Sequence, residues 1–78
     1  MLDRIKHVMK DVFNLTDIPD NFSQKTCSNW DSIHHLQLVF ELESEFDVSF
    51  EPEDIMSIKS LDDIINKLSQ LSFKKNNV

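Results

Sequence analysis

At 78 residues, 40% of them hydrophobic, and with a net charge of −6, the chain has the size of one small domain near the limit at which a single core suffices, and a helical bundle is the economical solution. One cysteine, Cys27, excludes an internal disulfide, and the lack of a signal-type apolar run or an 18-residue apolar span predicts a cytoplasmic protein that does not insert into membranes. The acidic balance repels nucleic acid and attracts basic protein surfaces. It is concentrated in residues 31–63, which hold ten Asp or Glu against Lys59 alone, while the rest of the chain is net positive.

In chain order, Leu2, Ile5, Val8, Met9, Val12 and Phe13 recur at steps of three and four and predict an amphipathic helix from residue 2 to about 14. The pattern then breaks into a turn-rich connection through Asp31, longer than most. Leu15, Ile18, Phe22 and Trp30 are its apolar residues and are expected to fasten it to the core. Cys27, in the same loop, has no neighbouring His or Arg in sequence and reads as an inert thiol.

Asp31-Ser32 stands before the best-patterned helix, where unpaired N–H groups and the positive dipole end favour an attached anion. At 100° per residue, Ile33, Leu36, Val39, Phe40, Leu42 and Phe46 fall on one broad apolar side, with His34, Gln37, Glu41 and Glu45 on the other. After a connector, Pro52 beside Glu51, Glu53 and Asp54 marks a short third helix over roughly 52–57. Ser60, followed three residues later by Asp63, forms a cap-like arrangement before Leu61, Ile64, Ile65, Leu68 and Leu71. Periodicity is lost after 72, so residues 1–72 are expected to form the domain and 73–78 a frayed tail.

Several chemistries fail on the residues. The chain has no glycine, hence no Gly-rich phosphate cradle, dinucleotide fingerprint or Gly-x-Ser-x-Gly turn, and self-contained catalysis is not expected. His34 and His35 point about 100° apart on a helix and cannot chelate from one face; they read as surface residues. The acidic run from Asp47 imitates a calcium loop, but Pro52 stands where the loop needs glycine and Ile58 where it needs a bidentate Glu. No metal site is expected.

Asn29-Trp30-Asp31-Ser32-Ile33, followed by Leu36, Leu38, Val39, Leu42 and Glu43-Ser44-Glu45-Phe46-Asp47, resembles the acyl carrier protein family and its peptidyl and aryl relatives. Asp31-Ser32-Ile33 stands for the family's Asp-Ser-Leu, and agreement extends over most of residues 1–72. The resemblance implies an all-α four-helix bundle with a long first loop and a short third helix. It also implies 4′-phosphopantetheine, derived from coenzyme A, attached to Ser32 beside Asp31. The protein would then be a monomer and not an enzyme. Its partners would be a phosphopantetheinyl transferase and the enzymes that load and transfer acyl groups, which would bring the arm its chemistry.

The family's glycine two residues before the Asp is Asn29 here, and the Trp-Asp-Ser form resembles specialised carriers more than the general fatty-acid carrier. Docking is expected to use Ile33, Leu36 and Phe40 near the arm and Glu41, Glu43, Glu45 and Asp47 further along. Alternatives are an aminoacyl or peptidyl carrier, whose cargo the partners choose, and a cofactor-free helical adaptor in which Ser32 is only a cap and the acidic face is the whole function.

Overall fold

A computed structural model describes residues 1–76, with side chains through Leu71. Within them the chain folds into four α-helices, α1 (Leu2–Phe13), α2 (Ser32–Phe46), α3 (Pro52–Ser57) and α4 (Leu61–Asn76), with a 3-10 turn at Gln24–Thr26. No strand occurs among the described residues; an isolated antiparallel bridge joins Ser23 to Ser60. The expected all-α bundle with a long first loop and a short third helix is the observed fold. The domain limit expected after residue 72 falls inside α4, whose backbone is helical through Asn76. Of the tail expected to fray, residues 77 and 78 lie outside the described residues.

Local chemistry explains several of the helix ends. Because the chain lacks glycine, the left-handed residue that ends a helix must come from a side chain that tolerates it. Asn14 (φ 55°) closes α1 and Asp47 (φ 53°) closes α2, and their N–H groups donate to the carbonyls of Lys10 and Glu43. At the start of α4, Asp63 N–H donates to Ser60 Oγ (3.1 Å), and Lys59 N–H donates back to Asp63 Oδ2 (3.0 Å). The reciprocal cap expected from sequence is therefore present, displaced by one residue at its returning bond. Asp54 does the same at α3, accepting from Glu51 N–H (3.0 Å).

The core is built from Ile5, Val8, Met9, Val12 and Phe13 of α1, Leu38, Val39 and Leu42 of α2, and Leu61, Ile64 and Leu68 of α4, with Ile58 between α3 and α4. Ile18, Phe22 and Trp30 fasten the first loop to it, with Leu15 partly buried beside them. Phe22 and Trp30 pack their rings on Phe13, at centroid distances of 5.8 and 5.1 Å. The loop is also held by main chain: Gln24 N–H donates to Lys59 O and Leu61 N–H to Phe22 O, both at 2.9 Å. Between α1 and α2, Arg4 donates from Nε to Glu45 Oε2 (2.8 Å) and from Nη2 to the Glu45 main-chain oxygen (2.6 Å), and its guanidinium lies 4.7 Å from the Phe46 ring centre.

The apolar side expected for α2 is narrower than the helical wheel suggested. Leu38, Val39 and Leu42 are buried, and Phe46 is half-buried, but Ile33, Leu36 and Phe40 are exposed. The helix presents one stripe to α1, and the three residues beyond its edge have no neighbour to cover them. Leu42→Ala should therefore lower the unfolding free energy by about 2–5 kcal/mol, while Phe40→Ala should stay within about 0.5 kcal/mol. Urea denaturation of both variants measures the difference, and equal losses would restore the broader face.

Candidate functional site

The N-terminus of α2 is held in place by the residue before Ser32. Asp31 is the N-cap: its Oδ1 accepts the His34 main-chain N–H at 2.9 Å and lies 2.7 Å from His34 Nδ1. These two contacts, the main-chain bond first, hold the Asp31 carboxyl below the ordinary value of 3.8. Ser32 is thus the first residue of the helix and not its cap. Its side chain is exposed, and its hydroxyl makes no hydrogen bond among the described residues. Nothing in the local fold uses that oxygen.

Behind Ser32 the site rests on Trp30 and His35. Trp30 is buried, so its indole N–H needs a partner, and it donates to His35 Nδ1 at 2.9 Å. With Nδ1 accepting, His35 carries its proton on Nε2, which donates to the Ile55 carbonyl of α3 at 2.7 Å. The neutral ring joins the first loop, α2 and α3 in one line and stacks near the indole, with ring centres 6.1 Å apart. The expectation of two surface histidines is therefore corrected. Both are half-buried: His35 because α3 packs over it, and His34 because its ring turns towards Asp31 and lies 6.2 Å from Phe13. The His-His pair carries no sequence signal for His35, whose arrangement depends on which loop and helix come to lie against α2, whereas His34 meets Asp31 within its own helix start.

An open cleft of about 750 Å³ begins at this point. Trp30, Leu36, Met56 and Ile58 form its apolar lining, and Asp31, Ser32, His35 and Lys59 are among its polar groups. The exposed apolar surface around it comprises Ile33, Leu36, Phe40 and Met56, which are 76, 49, 64 and 77% accessible. Met56 was missed from sequence because a six-residue helix offers too few turns to show a face. A free hydroxyl at the rim of a cleft with both apolar and polar lining suits a flexible arm with amide and phosphate groups, and the surrounding side chains do not obstruct Ser32.

The acidic residues expected further along α2 are dispersed in their roles. Glu41 is exposed. Glu43 is half-buried and accepts the Phe50 N–H at 2.8 Å, and Glu45 is paired with Arg4. Asp47 is the left-handed residue that ends the helix. Cys27 is buried in the core, which accounts for a thiol without a role at the surface.

A short helical bundle with an unused serine hydroxyl at the head of its second helix defines a carrier-like architecture. No family model matches the chain. Over 82 aligned residues it is 33% identical to an acyl carrier protein homolog of Mycoplasma genitalium, an alignment that covers 96% of this chain and 92% of that protein. The chain belongs to the acyl carrier protein family.

The Trp30–His35–Ile55 line makes a quantitative claim on stability. His35→Ala should leave the indole N–H unpaired, at a cost of about 1–3 kcal/mol where it stays buried, while the Ile55 carbonyl keeps the Ile58 N–H at 3.4 Å. Trp30 is the sole tryptophan, so its emission reports the change directly. A red-shifted emission together with a lower urea midpoint is expected; an unchanged spectrum and midpoint would show that the line is not formed.

Proposed function

We propose that the protein carries acyl intermediates as thioesters on a 4′-phosphopantetheine arm attached to Ser32, presents them to partner biosynthetic enzymes, and catalyses nothing itself. The observation that carries this reading is the exposed Ser32 hydroxyl, free of hydrogen bonds among the described residues and set beside an open cleft. Family membership supports it independently. When bound, the arm supplies a terminal thiol that holds the acyl group; the chain supplies the attachment oxygen, a rigid helix start and a docking surface. Tethering then replaces diffusion by an effective concentration of order mM.

Attachment would be performed by a separate phosphopantetheinyl transferase with coenzyme A and Mg²⁺. The Ser32 oxygen would form the new phosphoester bond, its proton passing to a base of the transferase and adenosine 3′,5′-bisphosphate leaving. Asp31, kept ionised by His34, would stand next to the reacting oxygen. Among the described residues no helix is long and apolar enough to cross a membrane, which fits a carrier that meets its enzymes in the cytoplasm. A cofactor-free adaptor would need Ser32 as the cap of α2; that cap is Asp31, and the adaptor reading is weaker for it.

Wild-type protein incubated with coenzyme A, Mg²⁺ and a promiscuous transferase should gain the mass of one phosphopantetheinyl group. Ser32→Ala should gain none while its melting temperature stays within a few degrees, because Ser32 is not the cap. A modified Ser32→Ala protein, or an unmodified wild type, would refute the assignment.

Docking near the arm should be mainly apolar, through Ile33, Leu36 and Phe40, joined by Met56 of α3. Glu41, Glu43, Glu45 and Asp47 are retained as the acidic contribution, with Glu41 the most available. Charges of this exposed kind act chiefly on encounter rate and are screened over about 8 Å at 0.15 M salt. Phe40→Ala and Leu36→Ala should therefore slow acyl transfer by a cognate enzyme more than Glu41→Gln does. A transfer assay at two salt concentrations checks this; steep salt dependence with a dominant Glu41 effect would sink the proposal.

A further inference from the structure

Lys59 is the one Lys or Arg in residues 31–63, and the fold brings it to the cleft that begins at Ser32, although 27 positions separate the two in sequence. Its main chain is fixed on both sides of the Cα: the Lys59 N–H donates to Asp63 Oδ2 at 3.0 Å, and the Lys59 carbonyl accepts from Gln24 N–H at 2.9 Å. Its ammonium group, by contrast, is exposed and has no partner among the described residues. A rigid base with a free cation is a geometry suited to an anion that is itself attached nearby.

The local charge balance makes such a cation necessary. A phosphodiester on Ser32 Oγ would bring a permanent negative charge next to the Asp31 carboxylate. The start of α2 offers less compensation than a bare helix end does, because Asp31 already takes up the His34 N–H and supplies its own anion there. His35, also in the cleft, has its two ring nitrogens committed to Trp30 and Ile55 and stays neutral in that arrangement. Lys59 is thus the cation of the cleft that remains available.

Building on the assignment of Ser32 as the attachment residue, the geometry points to Lys59 as the positioning residue that holds the phosphodiester of the arm and directs its first segment into the cleft along Trp30, Leu36 and Ile58. The contact offsets the repulsion from Asp31 and fixes the arm at its root while its thiol end remains mobile. Lys59 does not touch the reacting thioester.

The test compares apo and enzymatically loaded protein for wild type, Lys59→Gln, Lys59→Arg and, as a control on α1, Lys10→Gln, with loading at Ser32 established by intact mass. Each variant then yields a ³¹P chemical shift for the phosphodiester and a difference in melting temperature between loaded and apo forms. Lys59→Gln should move the ³¹P shift toward that of urea-unfolded loaded protein and should make loading less stabilising by about 2–5 °C. Lys59→Arg should retain the wild-type values, Lys10→Gln should leave them unchanged, and high salt should bring wild type close to Lys59→Gln. Taking the difference within each variant removes any effect of the substitution on the apo fold. If Lys59→Gln loads normally but keeps the wild-type ³¹P shift and melting difference, the role of Lys59 is overturned while Ser32 stands. If wild type itself gains no mass, the carrier assignment fails first and the inference with it.

Discussion

The N–H of a buried indole has to be satisfied, and around Ser32 that requirement sets the arrangement of three separate segments. Trp30 enters the core because the long first loop has few other large apolar groups with which to anchor its last turn. Its N–H then needs an acceptor in a place where the surrounding rings of Phe13 and Phe22 supply none. His35 provides one from α2 and, by fixing its own tautomer, turns a donor toward the Ile55 carbonyl of α3. A single neutral imidazole therefore sets where the loop ends, where α2 begins and how close α3 lies. The position of Ser32, two residues after Trp30 and three before His35, follows from that line, as does the cleft between the loop and α3.

Lack of glycine imposes a second constraint, which shapes the acidic half of the chain. Helix ends, turns and starts that glycine and water often settle must here be settled by side chains. Asn14 and Asp47 take the left-handed positions. Asp31, Asp54 and Asp63 accept main-chain N–H groups at the starts of α2, α3 and α4, and Glu43 does so for Phe50 across the connector. Short carboxylates are effective in this task because they reach N–H groups two to four residues away without a large entropy loss. Much of the negative charge therefore has a structural origin before any question of partners arises.

These two constraints also explain what the sequence did and did not disclose. Periodicity identified α1 and α4 because each buries one face against a single contiguous core, and Pro52 and Ser60 marked their helix starts through local chemistry. Ser32 stood out as a candidate because the Asp-Ser-Ile motif and the helix that follows are local in sequence. The burial of α2 was not: a helical wheel can sum apolar positions but cannot know how narrow a stripe the neighbouring elements cover, so it groups Ile33, Leu36 and Phe40 with Val39 and Leu42. His35 was illegible for a related reason. Its partners are five and twenty residues away, in elements whose approach depends on tertiary packing. Lys59 likewise appeared only as an isolated charge until the main-chain bonds to Gln24 and Asp63 placed it at the cleft.

The distribution of charge that results is unlike what composition alone conveys. Of the ten acidic residues between 31 and 63, Asp31, Glu43, Glu45, Asp54 and Asp63 are engaged in contacts within the fold. Such groups still contribute to the long-range field that steers encounter, but they cannot reorient onto a partner without giving up the bond that orders the local main chain. Along α2 beyond Asp31 and Ser32 the exposed surface is instead largely apolar, with Lys59 at the cleft. In the proposed docking, long-range attraction and short-range apolar complementarity would thus be carried by different parts of the molecule. The first is spread over the fold and sensitive to salt. The second is confined to the exposed side chains of α2 and α3 beside Ser32, where an apolar surface laid against them would exclude water.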